Sequence, residues 1–260
     1  MALSAGKRRS VVTLIVTVMV KGLAMVTTMP GAVWTAVNPP SVYYINSKSG
    51  NFFMAKGLTL ATKDAVLTLP ARDTCKCKAM CETMMGCVAW SLVAVAEAGE
   101  CRLSQLGPSN HTPLRQTNAT YAFLESSVSG EYSFKVDRLL YLKPPFKLPY
   151  EAAKNFCAAI PGHRLGIYKT MQQYNMLEEY WCPADNCTSM IYMGLEKTSS
   201  GLMFIDGTSF DDAEISDAPR LVNDGISHYA FSIYNRNLDD GTGIPALQFL
   251  CQANPLGVEW

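Results

Sequence analysis

Apolar positions recur along the chain at two spacings, and the spacing changes from segment to segment. Tyr150, Ala153, Cys157 and Ile160 fall three or four residues apart and share one face of a helix. Met171, Tyr174, Leu177 and Trp181 repeat that pattern. Ahead of them Thr170-Met-Gln-Gln173 is a capping box, in which Thr170 caps the helix and Gln173 reaches back. Thr74 to Met85 has few helix breakers and predicts a shorter helix, with Cys77 and Cys81 on one face. Elsewhere the apolar runs are short, β-branched and aromatic. In the first half Gly57 to Leu60, Ala65 to Leu69, Cys87 to Val95, Cys101 to Leu103 and Tyr121 to Leu124 predict strands, with a turn at Glu97-Ala-Gly99. In the second half Met190 to Leu195, Leu202 to Gly207 and His228 to Ile233 do the same, the middle one ending in an Asp-Gly turn. Ala246 to Cys251 closes that half. The fold class is α+β: a helix on a small antiparallel sheet, then two helices with antiparallel sheets and long loops.

Ser126 to Glu131 is small and polar and reads as a linker between a cysteine-dense first half and a second half with wider cysteine spacing. Asn38 to Ser41 holds two prolines and reads as an extended lead-in. At the N-terminus Lys7, Arg8 and Arg9 precede an uncharged run from Ser10 to Val20, rich in Val, Leu, Ile and Met. The run is shorter than the roughly 20 apolar residues that span a bilayer, and it fits a signal-peptide core. Gly22-Leu23-Ala24 offers small residues where a signal peptidase reads, so residues 1–24 are expected to be removed; sites near Ala32 or Ala36 also fit. Retained, the same run is a signal anchor and the protein a single-span membrane protein. Cleavage after Ala24 removes four basic and no acidic residues and leaves 18 basic against 22 acidic, a net charge of −4.

The 260 residues suit one large domain or two modest ones. The whole chain is formally neutral, which gives no electrostatic footprint for nucleic acid. Nine cysteines and sequons at Asn110, Asn118 and Asn186 agree with export, disulfide bonding and glycosylation.

In the first half the arrangement Cys77-x3-Cys81-x5-Cys87-Val-Ala-Trp, followed by Cys101-x-Leu103, resembles the PAN/apple domain over residues 41–125. The resemblance implies bridges Cys77–Cys101 and Cys81–Cys87 and a role in binding protein or carbohydrate partners. Cys75 lies outside it and stands as an unpaired thiol, an intermolecular bridge to a second chain, or a competitor for the partner of Cys77. In the second half Tyr150-Glu-Ala-Ala-x-x-x-Cys157, a second helix, Tyr-Met-Gly-Leu195, Phe-Ile-Asp-Gly207 and Phe-Leu-Cys-Gln252 follow one another in an order that resembles the C-type lectin domain, over residues 132–252. That resemblance implies a bridge Cys157–Cys251 and a carbohydrate or protein ligand. The family's inner bridge is absent, since Tyr229 and Gly243 occupy its positions; Cys182 and Cys187 are expected to bond each other, around Pro183.

Many sugar-binding members of that family hold calcium with side-chain oxygens, and calcium takes six to eight of them. The first ligand triplet aligns with Ala218-Pro219-Arg220, which offers none; the second aligns with Leu238-Asp239-Asp240, which keeps two carboxylates. Asp239 and Asp240 are therefore the candidate carbohydrate or metal residues, with calcium as a possible cofactor outside the usual arrangement. From Asp206 to Asp240 eight acidic residues (Asp206, Asp211, Asp212, Glu214, Asp217, Asp224, Asp239, Asp240) meet two basic ones, while from Glu131 to Thr170 seven basic residues meet three acidic ones. These are two solvated faces, a calcium site in the acidic loops, or a field that steers a charged partner.

Nothing in the chain assembles a catalytic constellation. Of the histidines, His111 lies in a sequon and is expected exposed, His163 follows the Pro161-Gly162 turn, and His228 sits packed in a strand. Cys75, Cys77, Cys81 and Cys87 could hold zinc, but an exported chain favours disulfides. Adjacent carboxylates such as Glu178-Glu179 and Asp211-Asp212 do not face each other on a helix and are poor acid/base partners. The sequence therefore reads as an extracellular, non-enzymatic recognition protein that binds glycan or protein ligands. The alternative is a structural matrix or modulator protein acting through protein contacts on the same scaffold.

Overall fold

In β structure, neighbouring side chains point to opposite faces, and Phe52 and Phe53 use this to join two cores. They open a strand that the sequence pattern places five residues too late. The computed structural model describes residues 42–134, 137–181, 190–216, 220–222, 228–232, 237–239, 245–258 and 260. Residues 1–41, Cys182, Asn186, Cys187, Asp217 to Pro219, Asp224, Asp240 and Gly243 lie outside the described residues. The first half contains β1 (Tyr43–Ile45), β2 (Phe52–Thr59), β3 (Leu67–Ala71), α1 (Thr74–Thr83), β4 (Ala89–Val93), β5 (Gly99–Ser104) and β6 (Leu114–Leu124). Its strands form one antiparallel sheet in the order β1-β2-β6-β4-β5-β3.

Every residue of β4 is buried, because both faces of the sheet are covered. On one face Trp90, Leu92, Phe52 and Leu103 pack against α1 through Cys77 and Cys81. Asp73 caps that helix, accepting a hydrogen bond from the Lys76 backbone N–H at 2.7 Å. Disulfides Cys77–Cys101 and Cys81–Cys87 tie the helix to β5 and to the approach to β4. On the other face Phe53, Ala55, Ala89, Tyr121 and Phe123 join a core shared with the second half. Pro70 lies on the edge strand β3, where it can have no second neighbour to satisfy.

The second half contains β7 (Glu131–Phe134), β8 (Leu140–Lys143), α2 (Tyr150–Ala159), β9 (His163–Leu165), α3 (Met171–Trp181), β10 (Met190–Thr198), β11 (Gly201–Phe204), β12 (Arg220–Val222), β13 (His228–Ser232), β14 (Asn237–Asp239) and β15 (Cys251–Ala253). They make a four-stranded antiparallel sheet, β7-β8-β15-β9, and a five-stranded sheet, β11-β10-β13-β14-β12, whose β12–β14 pair is parallel. The chain is thus α+β, with three helices among the described residues. On α2, Tyr150, Ala153 and Cys157 are buried, and the Cys157–Cys251 disulfide ties that helix to β15. It closes a span of 94 residues, which in the chain-entropy picture stabilises the fold by ~4.6 kcal/mol. The capping box at α3 forms as its spacing predicts. Gln173 N–H donates to Thr170 Oγ1 at 3.2 Å, and Gln173 Oε1 accepts from the backbone N–H groups of Thr170 and Lys169 at 3.4 and 2.8 Å.

The two halves meet at an aromatic seam. Phe53 lies 5.0 Å from Tyr132 and 5.3 Å from His163, ring centroid to centroid, and 5.2 Å from Phe123. Gly162 beside it has φ +75°, and a Cβ there would come within 2.3 Å of Val42 Cγ1. Backbone conformation and close approach both demand glycine. His163 closes the Pro161-Gly162 turn, its N–H donating to the Ile160 carbonyl at 3.0 Å, and also opens β9, where it is buried in this seam. Its Nδ1 lies 3.1 Å from the Pro161 carbonyl, which can only accept, so Nδ1 carries the proton; Nε2 accepts from the Tyr132 hydroxyl at 3.1 Å. The neutral ring is fully satisfied, and burial pulls its pKa down from 6.5 to about 4.

A histidine held below its unfolded pKa binds fewer protons folded than unfolded. Stability therefore rises with pH between about 4 and 6.5, by about 3 kcal/mol for this group. We expect chemical denaturation across that window to show the rise, and His163→Gln to flatten it whatever its effect at neutral pH. A wild-type and variant of equal slope would contradict the assignment.

Candidate functional site

Asp239 closes β14, partly exposed and flanked by Ala230 of β13 and Val222 of β12. The parallel register sets Arg220 opposite Asn237 and Val222 opposite Asp239. Arg220 and Asp239 thus occupy opposite ends of a three-residue pairing and do not face each other across it. Asp240, Ala218 and Pro219 lie outside the described residues, and among the described residues no three His, Cys, Asp or Glu side chains cluster as a metal site would require. Tyr229, at one inner-bridge position, is buried in β13.

The three histidines are each engaged by an aromatic neighbour. His111 is half-buried, not exposed, with Nε2 3.0 Å from the Tyr121 hydroxyl, and burial lowers its pKa. His163 belongs to the seam. His228 stacks on Tyr150 at 4.3 Å, and the Tyr150 hydroxyl donates to Glu196 at 2.9 Å beside the Lys154–Glu196 ion pair at 2.6 Å. Asn110 and Asn118 are exposed in the first half. Cys75 is exposed on α1 and has no disulfide partner among the described residues.

The charge reversal along the sequence leads to a different place. The basic and acidic segments meet where Arg164 of β9 and Lys169, just before α3, converge on Asp206 in the turn after β11. Arg164 Nη1 and Lys169 Nζ donate to Asp206 Oδ2 at 3.1 and 2.7 Å. Asp206 Oδ1 accepts from the Thr208 backbone N–H and hydroxyl at 3.1 and 2.7 Å, closing the turn around Gly207, whose φ is +87°. Burial works against the Asp206 charge, but Lys169 and Thr208 outweigh it and hold the carboxyl below its ordinary range. The Arg164 guanidinium stacks on Trp260, 3.7 Å from the ring centroid. Burial lowers its pKa to about 10, against the pull of Asp206, so it stays cationic at neutral pH.

Around these groups lies a cavity of about 480 Å³, lined by Arg164, Lys169, Thr170, Gln173, Thr208 and Trp260 among others. It adjoins a second of about 610 Å³, which shares Lys169, Thr170 and Thr208 and adds Ser209, Asp212 and Glu214. Together they form one groove along the N-terminal end of α3.

A buried polar chain fixes its floor. Gln252, fully buried in β15, accepts from Arg164 Nε at 3.0 Å, and its amide donates to the Tyr141 hydroxyl at 3.0 Å and the Ile167 carbonyl at 3.1 Å. Tyr141 donates in turn to Asp137 Oδ2 at 2.6 Å, and Gln173 Nε2 donates to the same oxygen at 3.0 Å. Arg164 and the capping box of α3 are thus positioned by one network. Asn254 holds the chain beyond β15: its Nδ2 donates to the Val258 carbonyl at 2.6 Å and its Oδ1 accepts from Val258 N–H at 3.0 Å. That clasp presents Trp260 to Arg164. The sequence marks Arg164 and Lys169 only as members of a basic run and Asp206 as the acid of an Asp-Gly turn within the acidic run; the reversal between those runs is the signal that joins them. Trp260 lies beyond the last cysteine and carried none.

No protein-family model matches the sequence, and no curated protein matches it. Solved structures similar to this chain are C-type lectin-like domains, and the likeness covers about half of it, in the C-terminal part. The C-type lectin CEL-I from Cucumaria echinata is 12% identical, with 48% of this chain and 96% of that one covered and a TM-score of 0.38. Human lithostathine is 11% identical, with 50% and 92% covered and a TM-score of 0.38. The Ca2+-independent C-type lectin SPL-2 from Saxidomus purpuratus is 13% identical, with 46% and 89% covered and a TM-score of 0.39.

Gln252→Leu would strand Arg164 Nε and the Ile167 carbonyl without partners and leave the Tyr141 hydroxyl only its bond to Asp137. We expect a loss of about 3 kcal/mol in chemical denaturation, since several buried groups lose bonds together. A loss below about 1 kcal/mol would mean that water replaces the amide.

Proposed function

We propose that this chain is an extracellular recognition protein whose C-type lectin-like second half binds a carbohydrate or protein ligand without catalysing a reaction. The observation that carries the reading is the Cys157–Cys251 bond, set among sequence motifs in lectin-like order. It locks the first helix of that half to its last strand and leaves the groove along α3 rigidly framed. The histidines support binding over catalysis, because each is tied into packing. The first half serves as a PAN/apple-like partner module over residues 41–125, joined at residues 126–131 to the lectin-like residues 132–252. Residues 1–24 direct export, or anchor the chain if retained, and the sequons carry glycans. Among the described residues no helix is long and apolar enough to cross a membrane.

Ala218-Pro219-Arg220 lacks calcium-ligating side chains, which favours a ligand bound without calcium. It also keeps the second reading in play, a matrix or modulator protein working through protein contacts alone. A glycan array on the mature protein separates them. We expect binding that survives chelation by EDTA and persists in Asp239→Ala and Asp240→Ala. Binding abolished by EDTA would restore a calcium site at those aspartates, and no binding to any glycan would favour the protein-contact reading.

Cys75, exposed on α1, is the natural point for a covalent dimer. Non-reducing electrophoresis is expected to show a dimer that Cys75→Ser converts to monomer; wild-type protein running only as monomer would exclude it.

A further inference from the structure

The hydrogen-bonding capacity of the groove is unbalanced. Asp206 has four lone-pair sites, and Arg164, Lys169 and the two donors of Thr208 fill them. Gln173 Oε1 already takes two backbone N–H groups, and Gln252 Oε1 takes Arg164 Nε and, at 3.5 Å, the N–H of Ile167. The carboxylate and amide acceptors at the first cavity are therefore spent, and only the Thr170 and Thr208 hydroxyls keep lone pairs to offer. The cavity's donors are not spent. Lys169 uses one of three N–H groups, and Arg164 Nη2 makes no hydrogen bond among the described residues. Two cations also share a single carboxylate, so the cavity keeps one surplus positive charge beside the partly exposed indole of Trp260. The adjoining cavity has the opposite character: Asp212 and Glu214 are exposed along it and offer acceptors.

We propose that the groove takes an acidic saccharide, its carboxylate or sulfate on Arg164 and Lys169 and its ring hydroxyls donating toward Asp212 and Glu214. A neutral sugar can accept from the surplus donors but leaves the surplus positive charge without a counter-charge. An acidic peptide sets its further carboxylates against Asp212 and Glu214. A sugar ring with one anionic group matches both ends, and the groove needs no metal to hold it. Arg164 is held in place before the ligand arrives, by Gln252 beneath it and Trp260 against its face, so little ordering accompanies binding.

This inference rests on the reading of the second half as a binding module, and calorimetry on the full mature chain in EDTA tests the two separately. The probes are a chondroitin-sulfate tetrasaccharide, an unsulfated hyaluronan tetrasaccharide, neutral chitotetraose and a decaglutamate peptide. We expect one or both acidic tetrasaccharides to bind more tightly than chitotetraose. Binding of both means that a carboxylate suffices, and binding of the first alone means that sulfate is required. Lys169→Gln is expected to weaken that binding about tenfold or more, as loss of a charge-assisted hydrogen bond should, with an unchanged Tm. Arg164→Lys should do the same if it folds. Because Lys169 lies at the cavity edge, its variant carries the test should the Arg164 variant unfold. Unchanged affinity in folded Lys169→Gln, or decaglutamate binding best, overturns the inference. Chitotetraose binding equally well, untouched by either variant, overturns it and leaves the recognition reading standing. No binding to any of the three saccharides overturns it and leaves the carbohydrate arm of that reading to be decided by the glycan array.

Discussion

Gln252 has no access to water, so every polar atom it carries must be answered by protein. This requirement organises the second half. β15 is three residues long and runs between β8 and β9. Cys251 and Ala253 face the core built around α2, and Gln252 points the other way, toward Tyr141 and Ile167. One side of the strand is fixed covalently to α2 and the other by hydrogen bonds that end at Asp137 and the cap of α3. Remove the amide and Arg164 loses the anchor at Nε, leaving Asp206 at Nη1 and the Trp260 ring to hold it. The groove is a consequence of how a buried glutamine is satisfied.

The first half is bound to this arrangement by packing. Its sheet has two apolar faces, and only one is covered by α1. Phe53, Tyr121 and Phe123 bury the other face against Tyr132, His163 and Val128. The neutral imidazole of His163 belongs in that environment because both its nitrogens find partners of the right kind. A charged ring would lose its acceptor role toward Tyr132.

Much of this was legible in the residues. The helices at Thr74 and Tyr150 and the capping box at Thr170 follow from spacing and cap chemistry, which act over a few residues. The strands of Trp90, Tyr192 and Phe231 follow from dense runs of large apolar side chains. What escaped depends on partners distant in sequence. Arg115 to Asn118 lie in the first half of β6 yet are polar and largely exposed, so no alternation marks them; the pairing of β6 with β2 makes them a strand. β9 and β14 are three residues each, too short to display a period. Asp239 stood out because a resemblance pointed to it, whereas Arg164 and Trp260 meet only once the chain has folded.

The placement of β15 between two earlier strands also dictates an order of events. All six strands of the first sheet have been made by Leu124, and its pairings close within that stretch. The sheet of the second half lacks its central strand until Ala253 has been synthesised. Until then β9, which brings His163 over Phe53, has no strand to pair with, and that face of the first sheet is not sealed. A nascent chain therefore carries an aromatic surface prone to self-association for the time needed to make more than a hundred residues. Oxidation of Cys157 by any earlier cysteine in that interval is a wrong turn, since its partner does not yet exist.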